Sequence, residues 1–170
     1  MRVLLTITTS ALLASPGFAA GLEVKVEIPK LDVSEYHRPY VAMWIERPDN
    51  TVAANLAVWY DAANTKDKGE KWLKDMRQWW RRTGRELNMP VDGLSGATRP
   101  VGTHEVKFEA GHPAIAALQP GEYELIVEAA REVGGREVVR IPFKWPADKE
   151  AAGSAGGKEE LGAVSLVVKP

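Results

Sequence analysis

The chain of 170 residues contains no cysteine. Disulfides, thiolate metal centres, iron–sulfur clusters held by cysteine and c-type haem attachment are therefore excluded. Excess charge of one sign is also missing: 22 Lys and Arg against 23 Asp and Glu leave a formal net charge of −1. Nothing in that balance points to nucleic acid or to an anionic membrane. Histidine is limited to His37, His104 and His112, and their spacing fits no metal signature. No internal repeat is evident. The single uncharged apolar run, Val3 to Leu13, falls short of the ~20 residues that a membrane-spanning helix needs.

What the chain does contain is enough apolar material, 45% of residues, for one domain with a sizeable core. Its first residues read as an export signal. Met1-Arg2 is a weakly basic start, and Val3 to Leu13 is the apolar region. Ser15-Pro16-Gly17 breaks that region, and Gly17-Phe18-Ala19 offers small residues to a signal peptidase. Residues 1–20 are thus expected to be removed, after Ala19 or Ala20, on export to a bacterial periplasm.

Leu22, Val24, Val26 and Ile28 alternate with Glu23, Lys25 and Glu27, the pattern of a half-buried strand. Tyr40 to Glu46 and Asn55 to Tyr60 read as a hairpin about the turn Pro48-Asp49-Asn50. Between Lys68 and Arg82 the period changes. Trp72, Leu73, Met76, Trp79 and Trp80 form the stripe of one amphipathic helix, Glu70 and Lys74 are spaced to pair, and Gly84 suits a C-cap. Arg85 to Thr103 has no period. Strands resume at His104 to Ala110, Tyr123 to Ala130 and Glu137 to Trp145, and Pro142 implies an edge position for the last. Ala147 to Lys158, rich in Ala, Gly and charge, reads as a flexible linker before a short strand, Leu161 to Val168. The expected fold is mainly β: an immunoglobulin-like sandwich of about seven strands over 21–146 with one inserted helix, then 147–170 as linker and terminal strand. Glu109-Ala110 through Pro120-Gly121-Glu122-Tyr123 resembles the hairpin of the immunoglobulin-like module in flagellar hook-capping proteins, a likeness of fold only.

Within the non-periodic stretch lies Asp92-Gly93-Leu94-Ser95-Gly96-Ala97-Thr98, followed by Arg99-Pro100. On composition alone this is a turn-forming loop. It also resembles, in every fixed place, the target at which bacterial flavin transferases attach FMN to threonine. Asp92, Gly93, Ser95, Gly96, Ala97 and Thr98 fill those places. Attachment by phosphoester needs an exposed hydroxyl on backbone that can enter a foreign active site. Gly96 and Ala97 permit close approach, and Ser95 and Asp92 are suited to hold a turn through local amides. Thr98 is then a passive acceptor, and Arg99 the nearest counter-charge for the phosphodiester.

The likeness continues on both sides. Lys71-Trp72-Leu73-Lys74-Asp75-Met76-Arg77-Gln78-Trp79-Trp80-Arg81, Ser95 through His104, Gly121-Glu122-Tyr123 and Glu128-Ala129-Ala130-Arg131-Glu132 resemble the signature of domain-of-unknown-function family 2271, over about Leu22 to Trp145. That resemblance implies flavinylation, extracytoplasmic electron transfer, a flavin transferase as modifying partner and a membrane redox partner such as a PepSY-domain protein.

Other features are weighed beside this. Trp44, Trp59, Trp72, Trp79 and Trp80 are able to stack on an isoalloxazine ring, but Trp72 and Trp79 are expected in the core, with Trp80 at the stripe's edge. Arg77, Arg81, Arg82 and Arg85 make a basic helix end, and a fold-back of the chain would bring Arg81 or Arg85 near Thr98. His104 is a candidate donor to flavin or its phosphate. No nucleophile–base pair stands out, so a flavin-dependent reductase ranks behind a redox carrier. A non-catalytic binding or assembly module, acting by strand addition, is the alternative. Export predicts that N-terminal sequencing of the periplasmic protein begins at Ala20 or Gly21, and a mature chain still starting at Met1 would contradict the signal reading.

Overall fold

A computed structural model describes residues 20–64 and 69–170. The expected signal peptide and the start of the expected helix at Lys68 lie outside them. Nine strands form two sheets. The first, of four strands, has the order β5-β1-β9-β8: Gly102–Glu109, Gly21–Ile28, Ala163–Lys169 and Ala151–Gly156. The second, of five, has the order β4-β3-β2-β6-β7: Ser95–Ala97, Val52–Tyr60, Tyr40–Glu46, Gly121–Ala130 and Arg136–Trp145. All pairings are antiparallel except β3 with β4. Two short helices, α1 (Arg77–Arg82) and α2 (Pro113–Ala116), complete the elements among the described residues, with 3-10 turns at Gly69–Asp75 and Gly84–Glu86.

The alternation in β1 is realised: Leu22, Val24, Val26 and Ile28 are buried between the sheets. They meet Val41, Met43 and Ile45 of β2, Leu125 and Val127 of β6, and Leu166 and Val168 of β9 in one inner core. The five-stranded sheet is buried on its other face too. There Ala42, Trp44, Val58, Tyr60 and Ile126 pack under Leu73, Met76 and Trp79 of the helical segment. A strand covered on both faces carries apolar residues at nearly every position, which explains the unbroken run in β2.

The single expected helix is broken in two. Met76 leaves helical geometry (ψ 71°), and α1 restarts after it. The restart is held from the sheet. Glu128 of β6, fully buried, accepts from the backbone N–H groups of Gln78 and Trp79 at 3.1 and 2.7 Å. These are first-turn donors with no partner inside the helix, so a carboxylate from another element serves as the cap. Arg136 completes the charge balance at 2.7 Å. At the other end, Arg82 lies 3.5 Å from the buried carboxylate of Glu46, which also accepts the Trp44 indole N–H at 2.8 Å. The expected Glu70–Lys74 pair is not formed among the described residues, because a 3-10 turn aligns i with i+3. Gly84 is not the C-cap; Thr83 takes that place. Gly84 is needed for another reason: a Cβ there would lie 2.5 Å from the Trp79 ring.

The stretch expected as a flexible linker contains β8, paired with β9 from Ala151 to Gly156. At Gly153 a small residue is required: a Cβ there would sit 2.7 Å from Ile141 of β7 in the other sheet. Pro142 does fall on an edge strand, β7. The turn entering β9 is gathered by Glu137, whose carboxylate accepts from the N–H groups of Lys158, Glu159, Glu160 and Leu161 at 2.6–3.0 Å. Burial opposes ionisation of Glu137, but those four donors prevail and hold its pKa below the ordinary 4.5.

Two outcomes follow. Glu128→Ala leaves two helix-start donors and Arg136 unpaired, and is expected to cost about 2 kcal/mol in chemical denaturation; an unchanged midpoint would contradict the capping role. A carboxylate with a depressed native pKa stabilises the fold above its unfolded value and loses that contribution as pH falls through the native one. Wild-type stability should therefore fall more steeply than that of Glu137→Gln as the pH drops below 4.5, and parallel curves there would refute this.

Candidate functional site

The motif residues form a turn and then an edge strand. Gly93 adopts φ +73°, which favours glycine. Ser95 closes the turn on both sides: its N–H donates to Val91 O at 2.9 Å, and its hydroxyl accepts from Val91 N–H at 2.9 Å. Leu94 anchors the turn in the outer core. Asp92 is exposed and holds none of the turn's recorded hydrogen bonds. The expected loop then becomes β4, running parallel to β3 with Ser95, Gly96 and Ala97 beside Val58, Trp59 and Tyr60. Val58 N–H donates to Leu94 O at 2.8 Å and Thr98 N–H to Tyr60 O at 3.2 Å, so both ends of the strand are fixed. Ala97 is exposed and Thr98 partly so, at the strand's end.

Thr98 borders an open cleft of about 180 Å³. Around it stand Tyr40, Asp61, Trp72, Asp75, Arg131 and Glu132, with His37 and Arg38 at one end. Trp72 is 37% exposed, contrary to its expected place in the core; the 3-10 turn carries it off the Leu73, Met76 and Trp79 face. Lys71 lies over its ring, 4.8 Å from the centroid. Trp79 is fully buried as expected. Arg131 pairs with the buried Glu160 through two contacts at 2.8 and 3.1 Å. His37 is bonded to Glu35 at 2.8 Å and lies 3.7 Å from Glu132. Tyr40 donates to Gly69 O at 3.0 Å and packs edge-on against Tyr60. Burial raises both phenols above 10, although the Ser95 hydroxyl pulls Tyr60 the other way. Both therefore remain hydrogen-bond donors.

The remaining candidates divide. Arg99 lies over the Trp59 ring at 5.2 Å, and His104 meets the same ring edge-on at 5.9 Å. His104 Nε2 is 2.7 Å from Pro100 O and so donates there. Gly96 admits this arrangement, since a Cβ would stand only 3.3 Å from Trp59 Cδ1. Arg99, His104 and Gly96 thus form a second cluster about Trp59, next to Thr98 in sequence. Trp80 is elsewhere: it borders a separate groove with Leu73, Leu87 and Met89. Arg81 and Arg85 do not line the Thr98 cleft; Arg81 turns back on Arg77 O at 3.2 Å and Arg85 faces Glu86 at 3.9 Å. The cleft residues were missed in the linear reading because sheet pairing assembles them. Asp61 comes from the end of β3, Arg131 and Glu132 from the end of β6, and only the β3–β4 pairing sets Thr98 beside them.

Among the described residues no cluster of His, Asp and Glu is arranged to hold a metal, and no helix is long and apolar enough to cross a membrane. Fold and site together define a two-sheet β domain that presents a threonine, at the end of an edge strand, to a polar cleft with one aromatic wall. The chain belongs to the family described as predicted periplasmic protein (DUF2271), whose model matches residues 21–163. The match extends past Trp145 and takes in β8. Comparison with curated proteins and with solved structures gives no match.

Proposed function

We propose that this protein is a periplasmic electron carrier whose FMN is attached to Thr98 through a phosphoester. The observation that carries this reading is the complete target motif, Asp92 to Thr98, with its threonine at the end of an exposed edge strand and beside an open cleft. In the attachment step Thr98 Oγ bonds to the phosphorus of the FMN half of FAD. The pyrophosphate bond breaks, AMP leaves, and the hydroxyl proton passes to a base of the flavin transferase. This chain needs no base of its own. Its part is to present the hydroxyl: Gly93 and Ser95 shape the turn, Leu94 fixes it, Gly96 makes room for Trp59, and the small, exposed Ala97 leaves room for the transferase. Arg99, next to Thr98 in sequence and held over Trp59, is a candidate counter-charge for the phosphodiester.

FMN, when attached, supplies the one- and two-electron chemistry. The exposed indole of Trp72, which lines the same cleft as Thr98, offers it an aromatic face. We read the two-sheet fold as an immunoglobulin-like sandwich, supported by the inner core common to both sheets. The family's description agrees with export, and a membrane redox partner such as a PepSY-domain protein would exchange electrons with the carrier. A second reading, a binding or assembly module, draws on the same edge strand: among the described residues β4 has no strand on its outer side, which suits strand addition.

Co-expression of the full chain with a flavin transferase in the periplasm separates the two. The carrier reading expects an intact mass increased by one FMN phosphoester, absent in Thr98→Ala and retained in Thr98→Ser. An unmodified chain, where a known acceptor is labelled in the same cells, would leave only the binding module.

A further inference from the structure

The two sheets end in four edge strands, β5 and β8 of one and β4 and β7 of the other. Edges are commonly guarded against pairing with another chain by shortness, charge or proline. β4 is three residues long. β5 carries the exposed charges Glu105, Lys107 and Glu109, and β7 carries exposed Arg140, Pro142 and Lys144. β8, Ala151–Gly156, has neither charge nor proline, and most of it is exposed. It pairs with β9 on one side, and among the described residues no other recorded hydrogen bond reaches its backbone. The amides and carbonyls that point away from β9 are therefore free to pair.

The flanks of β8 show which strand fits. Lys149-Glu150 precedes it and Lys158-Glu159 follows it, all four exposed. None of the four sits in an ion pair among the described residues. Consider β8 laid antiparallel on a second β8, with Ser154 opposite its own copy. Glu150 then meets Lys158 of the second copy and Lys149 meets Glu159, at both ends. A slip of one residue sets Lys149 against Lys158 in one direction and Glu150 against Glu159 in the other. Like charges therefore disfavour both neighbouring registers.

We propose that β8 is a homodimer interface, at which two copies of this chain pair antiparallel about a two-fold axis at Ser154 and merge their four-stranded sheets into one. The contact is one pair of six-residue strands, so the dimer is weak and forms as concentration rises. β8 lies at the margin opposite β4 and β5, so the dimer leaves Thr98 of each copy at its far ends, free to meet other proteins.

Sedimentation velocity of the full chain, exported and purified, over a concentration series is expected to show monomer passing to dimer. Ser154→Lys puts two like charges on the axis and is expected to keep the chain monomeric; the position is exposed, so the fold tolerates it. Glu150→Lys and Lys158→Glu are each expected to weaken the dimer several-fold, and the two together to restore it. That recovery separates pairing from any loss of folding. In this cysteine-free chain Ser154→Cys is expected to close a disulfide between copies on mild oxidation, since facing residues of an antiparallel pair lie within its reach. Ala152→Cys, which faces Gly156 of the second copy, is expected not to. A chain that is monomeric at every concentration overturns the interface. So does a dimer that ignores the charge reversals and crosslinks no better through position 154 than through position 152.

Discussion

A single buried carboxylate organises the outer half of this molecule. Glu128 stands on the face of the five-stranded sheet opposite the inner core and takes the first amides of α1. Without it the helix would begin beneath solvent-excluding aromatics with donors unmet, a state that costs more than the helix gains by propensity over six residues. Everything that covers the outer face follows from that anchor: Trp79 over the sheet, Gly84 under Trp79, and the turn that delivers Leu94 back to the same core. Glu46 fixes the far end of the same helix through Arg82 and locks Trp44 beneath it. Two acidic residues inside a hydrophobic layer are thus the means by which an irregular segment acquires one position.

That position matters because the segment leads directly into Asp92–Thr98. The motif is presented by a strand whose entrance is fixed by Leu94 and whose exit is fixed by the Thr98–Tyr60 hydrogen bond. Arg99 and His104 then close over Trp59 on the inner side, while Tyr40, Trp72 and Arg131 flank the cleft on the other. Thr98 is where these two environments meet.

Local pattern revealed the strands whose faces differ. Leu22–Ile28 alternates because one side is wet, and Tyr40–Glu46 is dense in apolar residues because neither is. Pro142 marked an edge because it cannot donate to a ladder. The failures share one cause, contact between residues distant in sequence. The break at Met76 comes from Glu128, 52 positions away by number. Ala151–Gly156 reads as a linker because it is small throughout, yet at Gly153 the small residue is required by Ile141 across the sheets. Ser95–Ala97 has no strand pattern at all; its ladder partner imposes it. Of the cleft, Thr98 stands out in the sequence, whereas Trp72, at helical spacing with Leu73 and Met76, reads as core, and its place at the cleft comes from the 3-10 turn.

The close approach at Gly153 has a mechanical corollary. The two layers touch where β7 and β8 come together, as at the spine of a book. The crossover from β4 to β5 passes between the opposite margins, the fore-edge, and carries Thr98 to Val101. That margin is tied as well: Trp59 of β3 and His104 of β5 meet across it with ring centroids 5.9 Å apart. Thr98 thus stands where the chain leaves one layer for the other, between two margins that are each held by contacts across the sheets.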